Sequence, residues 1–483
     1  MSGEDELLQG FVRRSLSLSQ DRLRRHVFSS KGDRLHKRFA FDRFEGYVDA
    51  FLRGDASKRW IVMSGLRGTG KTTLVAQLLF SLSERGVPPA RTPYASLDEL
   101  TRLTGASLKQ YLDEYERQLG KDFETLTDSE RIILFLDEVH YDPDWAVALK
   151  SLYDRTDRVF IFATGSSSVS LQTSPDSVRR SESERLTPLS LSEYMLLKRD
   201  LKPDDSLRGS IIDSLFSSAS AEDAYRGLRA DQRAVTRYLA GVRPSDVEQY
   251  LRVGTLPFAI PYSDQEDVYE KLLDIVEKTV CEDITMMMRF TKKMQTKMSN
   301  LITLLAVSDR VSYESICSRL GELTKPTLSR MIRGLEKSEL VIAVRPFGRP
   351  VKKISKAPKY MFMAPSMRAA LLWKVGQSDS PEATSGRLLE DAVTMYLYRL
   401  QRERRLLAFD FDASEGGADF VINRRDKSRM VLEVGYGNKG HSQVEKTMSR
   451  TESEYGVVVS DRGLSLSDDK RILSVPKEWF LLV

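Results

Sequence analysis

The sequence predicts an α/β protein built on a parallel sheet wrapped by helices, and three observations carry that prediction. Between Trp60 and Met195, short β-rich runs (WIVMSG, PYAS, RIILFLDE and VFIFATG) alternate with helical patterns, as strand–helix–strand units do. A glycine-rich loop, GLRGTGKT from Gly65 to Thr72, separates the first run from the helical stretch TTLVAQLLFSL. The third run, RIILFLDEVH over residues 131–140, drives five consecutive apolar residues into two carboxylates. Such a strand is buried on both faces and ends where ligands collect in parallel sheets.

The elements follow in order. Residues 1–55 are basic and amphipathic, with Arg13, Arg14, Arg22, Arg24, Arg25 and Lys37 among Leu, Val and Phe, and are expected to form helices packed on the next domain with a solvated charged face. Residues 56–195 form the α/β core. Residues 196–296 read as helical, with a break at GTLP, 254–257. Residues 297–377 read as a compact helix and strand unit, SDSPEATSG is a linker, and 385–483 return to mixed helix and strand. A chain of 483 residues accommodates three or four domains of roughly 100 to 150 residues each. Cys281 and Cys317, the two cysteines, are too few for a disulfide framework or a zinc site and are expected to be small buried residues. The N-terminus MSGEDELLQG lacks the pattern of a signal peptide, and no stretch approaches the roughly 18 apolar residues of a membrane span. A cytoplasmic location without membrane partners is the expectation.

The loop is a phosphate site by its chemistry. Gly65, Gly68 and Gly70 let backbone N–H groups turn inward without Cβ clashes, and the helix opening at Thr72 and Thr73 aims its N-terminus at the charge, with Thr69 inside the loop. Lys71 is expected to reach the β and γ phosphates of ATP and the Thr72 hydroxyl to bind Mg²⁺. Asp137 is then a direct or second-layer Mg²⁺ ligand, and Glu138 the base that orients the attacking water. At the end of the next strand, Thr164 either hydrogen-bonds the γ-phosphate or the water, or simply belongs to a strand-to-loop turn. Arg179, Arg180 and Arg185 stand just before what reads as a further strand; one of them is a candidate arginine finger supplied to a neighbouring subunit of a homo-oligomer, against the alternative of ordinary surface arginines.

The succession GLRGTGKTTL, YASLDEL, FLDEVH, ATGSSS, RLTPLSLSEYM and LRVGTLPFAIPY resembles a widespread group of prokaryotic AAA+-type ATPases. The resemblance runs over nearly the whole chain, with PLSLSEYM and GTLP its most specific segments. It implies a P-loop core followed by a helical lid, a winged helix-turn-helix and a C-terminal α/β domain like restriction endonucleases. By the same resemblance Pro257 sits in the lid near the nucleotide base. Thr255 stands where the group usually has a second glycine, which puts the local turn in doubt.

Two further segments bear on partners. From Lys325 to Lys359 there are ten basic and two acidic residues, +8 in one segment of a chain whose net charge is +5. KMSNLITLLAVSD, SYESICSRLG and KPTLSRMIRGLEKSEL read as three helices, followed by the strands VIAVRP and YMFMA on either side of a basic loop. On the third helix Lys325, Ser329, Arg330 and Arg333 fall largely on one face suited to a groove and its phosphates, and Lys352, Lys353, Lys356 and Lys359 would let the wing touch the backbone. Duplex or branched DNA bound with little sequence choice is the expected partner; a spacer or subunit contact is the alternative. The Met286, Met287, Met288 run is expected to be core packing. In the last domain Glu390 on a helix, Asp419 on a strand and Glu433 on the next follow the order of carboxylates that holds Mg²⁺ in restriction-endonuclease-like folds. The lysine such a site needs two residues after the last carboxylate is replaced by Gly435. Two readings remain: a nuclease using Lys439, or a degenerate domain kept for DNA binding or oligomer contacts.

Overall fold

The computed structural model describes residues 3–17, 19–166, 179–308, 311–321, 323–349, 356–376, 380–437 and 440–483. They form two compact units, Met1–Thr187 and Pro188–Val483.

In the first unit β1 (Trp60–Ser64), β2 (Tyr94–Ser96), β3 (Ile132–Asp137), β4 (Val159–Gly165) and β5 (Glu182–Arg185) make one sheet in the order β2-β3-β4-β1-β5. All its pairings are parallel. Side chains alternate across a strand, and both faces are apolar. Trp60, Val62, Leu134, Leu136 and Ile161 enter one core with Tyr111 and Tyr115. Ile61, Met63, Ile133, Phe135 and Phe162 enter the other with Leu74 and Leu78. Each fully buried side chain of this kind contributes roughly 1.5–3 kcal/mol. The N-terminal segment supplies both layers, with Phe11 and Val12 on one face and Val27, Phe41, Phe44 and Phe51 on the other, while Arg13, Arg14, Arg24 and Arg25 stay exposed.

One expectation about this sheet needs correcting. Arg179 and Arg180 do stand just before a strand, but Arg185 is its last residue, Glu182–Arg185 being the edge strand, and the next element is the helix Leu191–Arg199, opened by a Ser190–Glu193 capping box. ESER carries no apolar alternation because it is a polar, partly exposed edge.

The second unit begins with helices, including Leu207–Phe216 and Ala221–Leu239. The break at GTLP is a π-helical turn, Tyr250–Gly254, followed by a 3-10 turn from Pro257 to Ala259. Three helices, Lys292–Val307, Tyr313–Leu320 and Lys325–Lys337, lead to an antiparallel hairpin of β6 (Val341–Val344) and β7 (Lys359–Phe362). The third helix has Thr324 as its N-cap, accepting from Thr327 N, and Pro326 in its first turn. The methionine run is not core: Met286 is 44% exposed, and Met287 and Met288 are half-buried. Nor are the cysteines buried, since Cys281 and Cys317 are half-exposed free thiols.

The long helix Pro381–Arg402 leads into β8 (Leu406–Asp410), β9 (Phe420–Arg424), β10 (Arg429–Val434), β11 (Tyr455–Ser460), β12 (Ser465–Leu466) and β13 (Ile472–Pro476). They form a mixed sheet in the order β12-β13-β11-β10-β9-β8. Its parallel pairs, β10 with β11 and β11 with β13, need crossovers, the first being the helix Ser442–Thr451. That helix lies so close to the sheet that a Cβ on Gly456 would stand 2.1 Å from Val444.

The helix Pro365–Lys374, which follows the hairpin, is joined to the long helix by a fully buried ion pair. Arg368 Nε donates to Asp391 Oδ2 at 2.6 Å and Nη2 to Oδ1 at 3.0 Å, and both side chains are 0% exposed. Arg368 also donates to Ala306 O at 3.0 Å, and Asp391 Oδ1 accepts from Phe362 N at 2.8 Å. Among the described residues no helix is long and apolar enough to cross a membrane.

Candidate nucleotide site and carboxylate cluster

The sheet register brings the first site together. Met63 of β1 lies opposite Thr164 of β4, and Leu136 of β3 opposite Ala163, so the glycine loop, Thr164, Asp137 and Glu138 share the C-terminal edge of the sheet. The loop follows β1 and ends in the 14-residue helix Lys71–Glu84, whose N-cap Gly70 is left-handed at φ +90°. Gly65 is fixed by a close approach, since a Cβ there would meet Leu186 O at 2.4 Å. Thr69 Oγ1 donates to Leu66 O at 2.9 Å. Lys71 Nζ, on a 5% exposed residue, donates to Gly65 O at 2.9 Å and to Leu66 O at 3.3 Å, so the ammonium lies over the loop it is expected to serve.

Asp137 is the hub. Its Oδ2 accepts from Thr72 Oγ1 at 2.7 Å and from Tyr94 OH at 3.1 Å, and its Oδ1 accepts from Thr164 Oγ1. Thr164 Oγ1 also accepts from Glu138 N at 3.4 Å. Burial, then the charge of Asp137, pushes the Tyr94 phenol well above its usual range, so it remains a donor. Glu138 is left-handed, with φ +53°, a conformation that costs a residue with a Cβ roughly 1–2 kcal/mol. Its Oε2 lies 3.3 Å from His140 Nδ1. Burial raises the Glu138 carboxyl above the ordinary value of 4.5 and Asp137 adds to the rise, while Lys71, His140 and Arg67 oppose it.

Three participants escaped sequence reasoning: Tyr94, His140, and Arg38, whose Nη1 donates to Thr69 O at 2.8 Å. DEVH offered His140 as a local neighbour of the site; Tyr94 stands 43 residues from Asp137, and nothing in the N-terminal segment marked Arg38. Thr73 is the third residue of the helix. Among the finger candidates Arg180 Nε pairs with Asp154 Oδ1 at 2.8 Å, and Arg185 lies in β5 beside Ser64 of β1. Pro257 opens its 3-10 turn in the second unit. Thr255 is fully buried, and its hydroxyl is hydrogen-bonded to that of Ser366.

Of the candidate DNA contacts, Arg333 is exposed, Lys325 Nζ pairs with Glu314 Oε1 at 2.6 Å, and Arg330 Nη2 donates to Met288 O at 2.9 Å. Lys352, Lys353 and Lys439 lie outside the described residues. Lys356 is exposed, with Nζ 3.4 Å from Ala413 O. Lys359 is not the surface lysine that the sequence suggested: it is 5% exposed, because its place at the start of β7 directs it toward the C-terminal carboxylates.

Glu390 and Asp419 do come together, but around that lysine. Lys359 Nζ donates to Glu390 Oε1 and to Asp419 Oδ1, each at 2.9 Å. Asp419, immediately before β9, accepts from Val434 N through Oδ2 at 3.0 Å, and its own N donates to Glu433 Oε2 at 3.0 Å. Arranged this way the donor set does not fit a metal ion, and among the described residues no group of three or more His, Cys, Asp or Glu side chains is placed to hold one.

The fold and the first site define a class: residues 57–195 match a family model described as an AAA domain. Residues 244–378 match a domain of unknown function. The chain is 34% identical over 456 residues to the uncharacterized protein MJ1637 of Methanocaldococcus jannaschii, covering 94% of this chain and 91% of that one, and it belongs to the same family. Among solved structures, the Walker-type ATPase of Pyrococcus abyssi overlaps at TM-score 0.40 and 13% identity, covering 68% of this chain and 95% of that one. The Aeropyrum pernix ORC1 protein, solved in complex with DNA, overlaps at TM-score 0.33 and 15% identity, covering 73% of this chain and 96% of that one.

Proposed function

We propose that this protein hydrolyses ATP with Mg²⁺ and couples the turnover to DNA. The observation that carries the ATPase half is the hydrogen-bonded chain from Thr72 through Asp137 to Thr164, which ties the glycine loop to the ends of two neighbouring strands. Thr72 and Asp137 would hold Mg²⁺, and the hydroxyl and carboxylate oxygens they offer suit a hard cation. The ion would supply positive charge against the phosphates. The loop N–H groups and the start of the helix Lys71–Glu84 bind the phosphates, and Lys71 exchanges its loop carbonyls for phosphate oxygens. Glu138 orients and deprotonates the attacking water, and its raised pKa suits a general base. In a homo-oligomer, Arg180 or Arg185 would reach a neighbour's phosphates as a finger.

The basic module reads as a winged helix, with the face of Lys325–Lys337 and the loop between β6 and β7 meeting duplex or branched DNA. The C-terminal domain reads as a restriction-endonuclease-like fold that does not cut. A second reading is favoured by the pairing of Lys325 with Glu314 and of Arg330 with Met288 O, which occupies two of the described candidates: the module then contacts protein, and ATP switches assembly. Salt-dependent binding to duplex and branched DNA, measured beside phosphate release, separates the two. Affinity that ignores salt, or no binding at all, would retire the DNA reading and leave the ATPase standing.

A further inference from the structure

The C-terminal carboxylates already hold a cation, and it belongs to the chain. Lys359 is the first residue of β7 and lies opposite Val344 in the hairpin. With 5% of its surface exposed, its ammonium needs compensation, because an isolated buried charge costs several kcal/mol. Glu390 and Asp419 supply it from two directions at 2.9 Å each, with the Phe411 ring centroid 5.6 Å away. Burial alone would lower the lysine pKa; Asp419 and Glu390 overcome it and hold Lys359 above the ordinary lysine range. The dependence is mutual, since Glu390 and Asp419 each place an oxygen against the same point and would repel across it without a positive charge.

The hairpin is held at its other end too. Asp391, the residue after Glu390, accepts from Phe362 N at 2.8 Å, and Phe362 is the last residue of β7. Consecutive carboxylates of one helix thus grip both ends of one strand, the first through an ammonium and the second through a backbone N–H. A divalent ion seated between Glu390 and Asp419 would have to expel Lys359 and loosen β7 from the helix Pro381–Arg402 and from the start of β9.

We propose that Lys359 is the resident cation of this cluster, taking the position of a metal ion between Glu390 and Asp419 and fastening the hairpin to the C-terminal domain, so that divalent metals are excluded while it stays in place. The proposal is independent of ATP hydrolysis and of DNA binding.

The test uses full-length, nucleotide-free protein carrying Asp137→Asn to silence the nucleotide site, with bound Mn²⁺ counted by electron paramagnetic resonance. Adding Asp419→Asn to this protein is expected to leave the number of bound ions unchanged. Adding Lys359→Met is expected to create one further Mn²⁺ site, which disappears when Asp419→Asn is introduced as well, and Mn²⁺ should raise the melting temperature of the Lys359→Met protein only. Loss of a bound ion on Asp419→Asn with Lys359 intact would overturn the proposal, as would a folded Lys359→Met protein that gains no site. Should Lys359→Met fail to fold, the comparison with and without Asp419→Asn still decides.

Discussion

Lys71 and Glu138 divide the labour of the nucleotide site, and single substitutions should separate their parts. Lys71→Ala removes an ammonium aimed at the phosphates and should weaken ATP binding at least tenfold. Glu138→Gln keeps the volume and the hydrogen-bonding reach but cannot take a proton. It should bind ATP normally and turn over about 10²–10⁴-fold more slowly, as measured by labelled-nucleotide binding beside phosphate release. Full turnover in Glu138→Gln would remove this residue from the role of base. The raised Glu138 pKa adds a pH signature. Because the ionised form is the active one, kcat/KM should climb with pH through a midpoint above 4.5, the ordinary value for glutamate, and that limb should vanish in Glu138→Gln. At this scale the sequence was legible where chemistry is local: the glycine loop and the paired Asp137 and Glu138 are contiguous motifs. Tyr94 and Arg38 were not, because they reach Asp137 and Thr69 across 43 and 31 residues of chain.

Among the elements, the junction between the helices Pro365–Lys374 and Pro381–Arg402 depends on a charge pair that no pattern announces. Arg368 and Asp391 are both 0% exposed, so deleting one strands the other. Arg368→Met or Asp391→Ala should each cost about 3–5 kcal/mol, whereas a paired replacement by apolar residues of similar volume should recover much of that loss. Urea unfolding of the two single variants and the double variant measures both, and equal losses in all three would show that packing, not charge, holds the junction. Strands buried on two faces were readable from composition, since runs such as IILFL have few alternatives. β5 was not, because a polar edge strand shows no alternation, and Lys359 was miscounted as a wing lysine because the direction of a strand's first side chain follows from hairpin register.

For the molecule as a whole, the charge excess between Lys325 and Lys359 remains the best handle on partners, even with Lys359 withdrawn from the surface. If the described face and the basic loop meet phosphates together, replacing Arg330, Arg333, Lys352 and Lys353 by Ala should weaken DNA binding across sequences. It should also flatten the dependence of log affinity on log salt by up to about four contacts' worth of slope, read by fluorescence anisotropy over a salt series. An unchanged slope would transfer the module to protein contacts. Heat resistance of the whole chain and its chemistry should meanwhile pull in opposite directions at one position. Glu138 sits at φ +53°, where glycine is at ease and a side chain is not. A breeder of heat-resistant variants, screening survival alone, should therefore recover Glu138→Gly as an improvement of up to about 1 kcal/mol, and would have selected a protein that clings to ATP and never spends it.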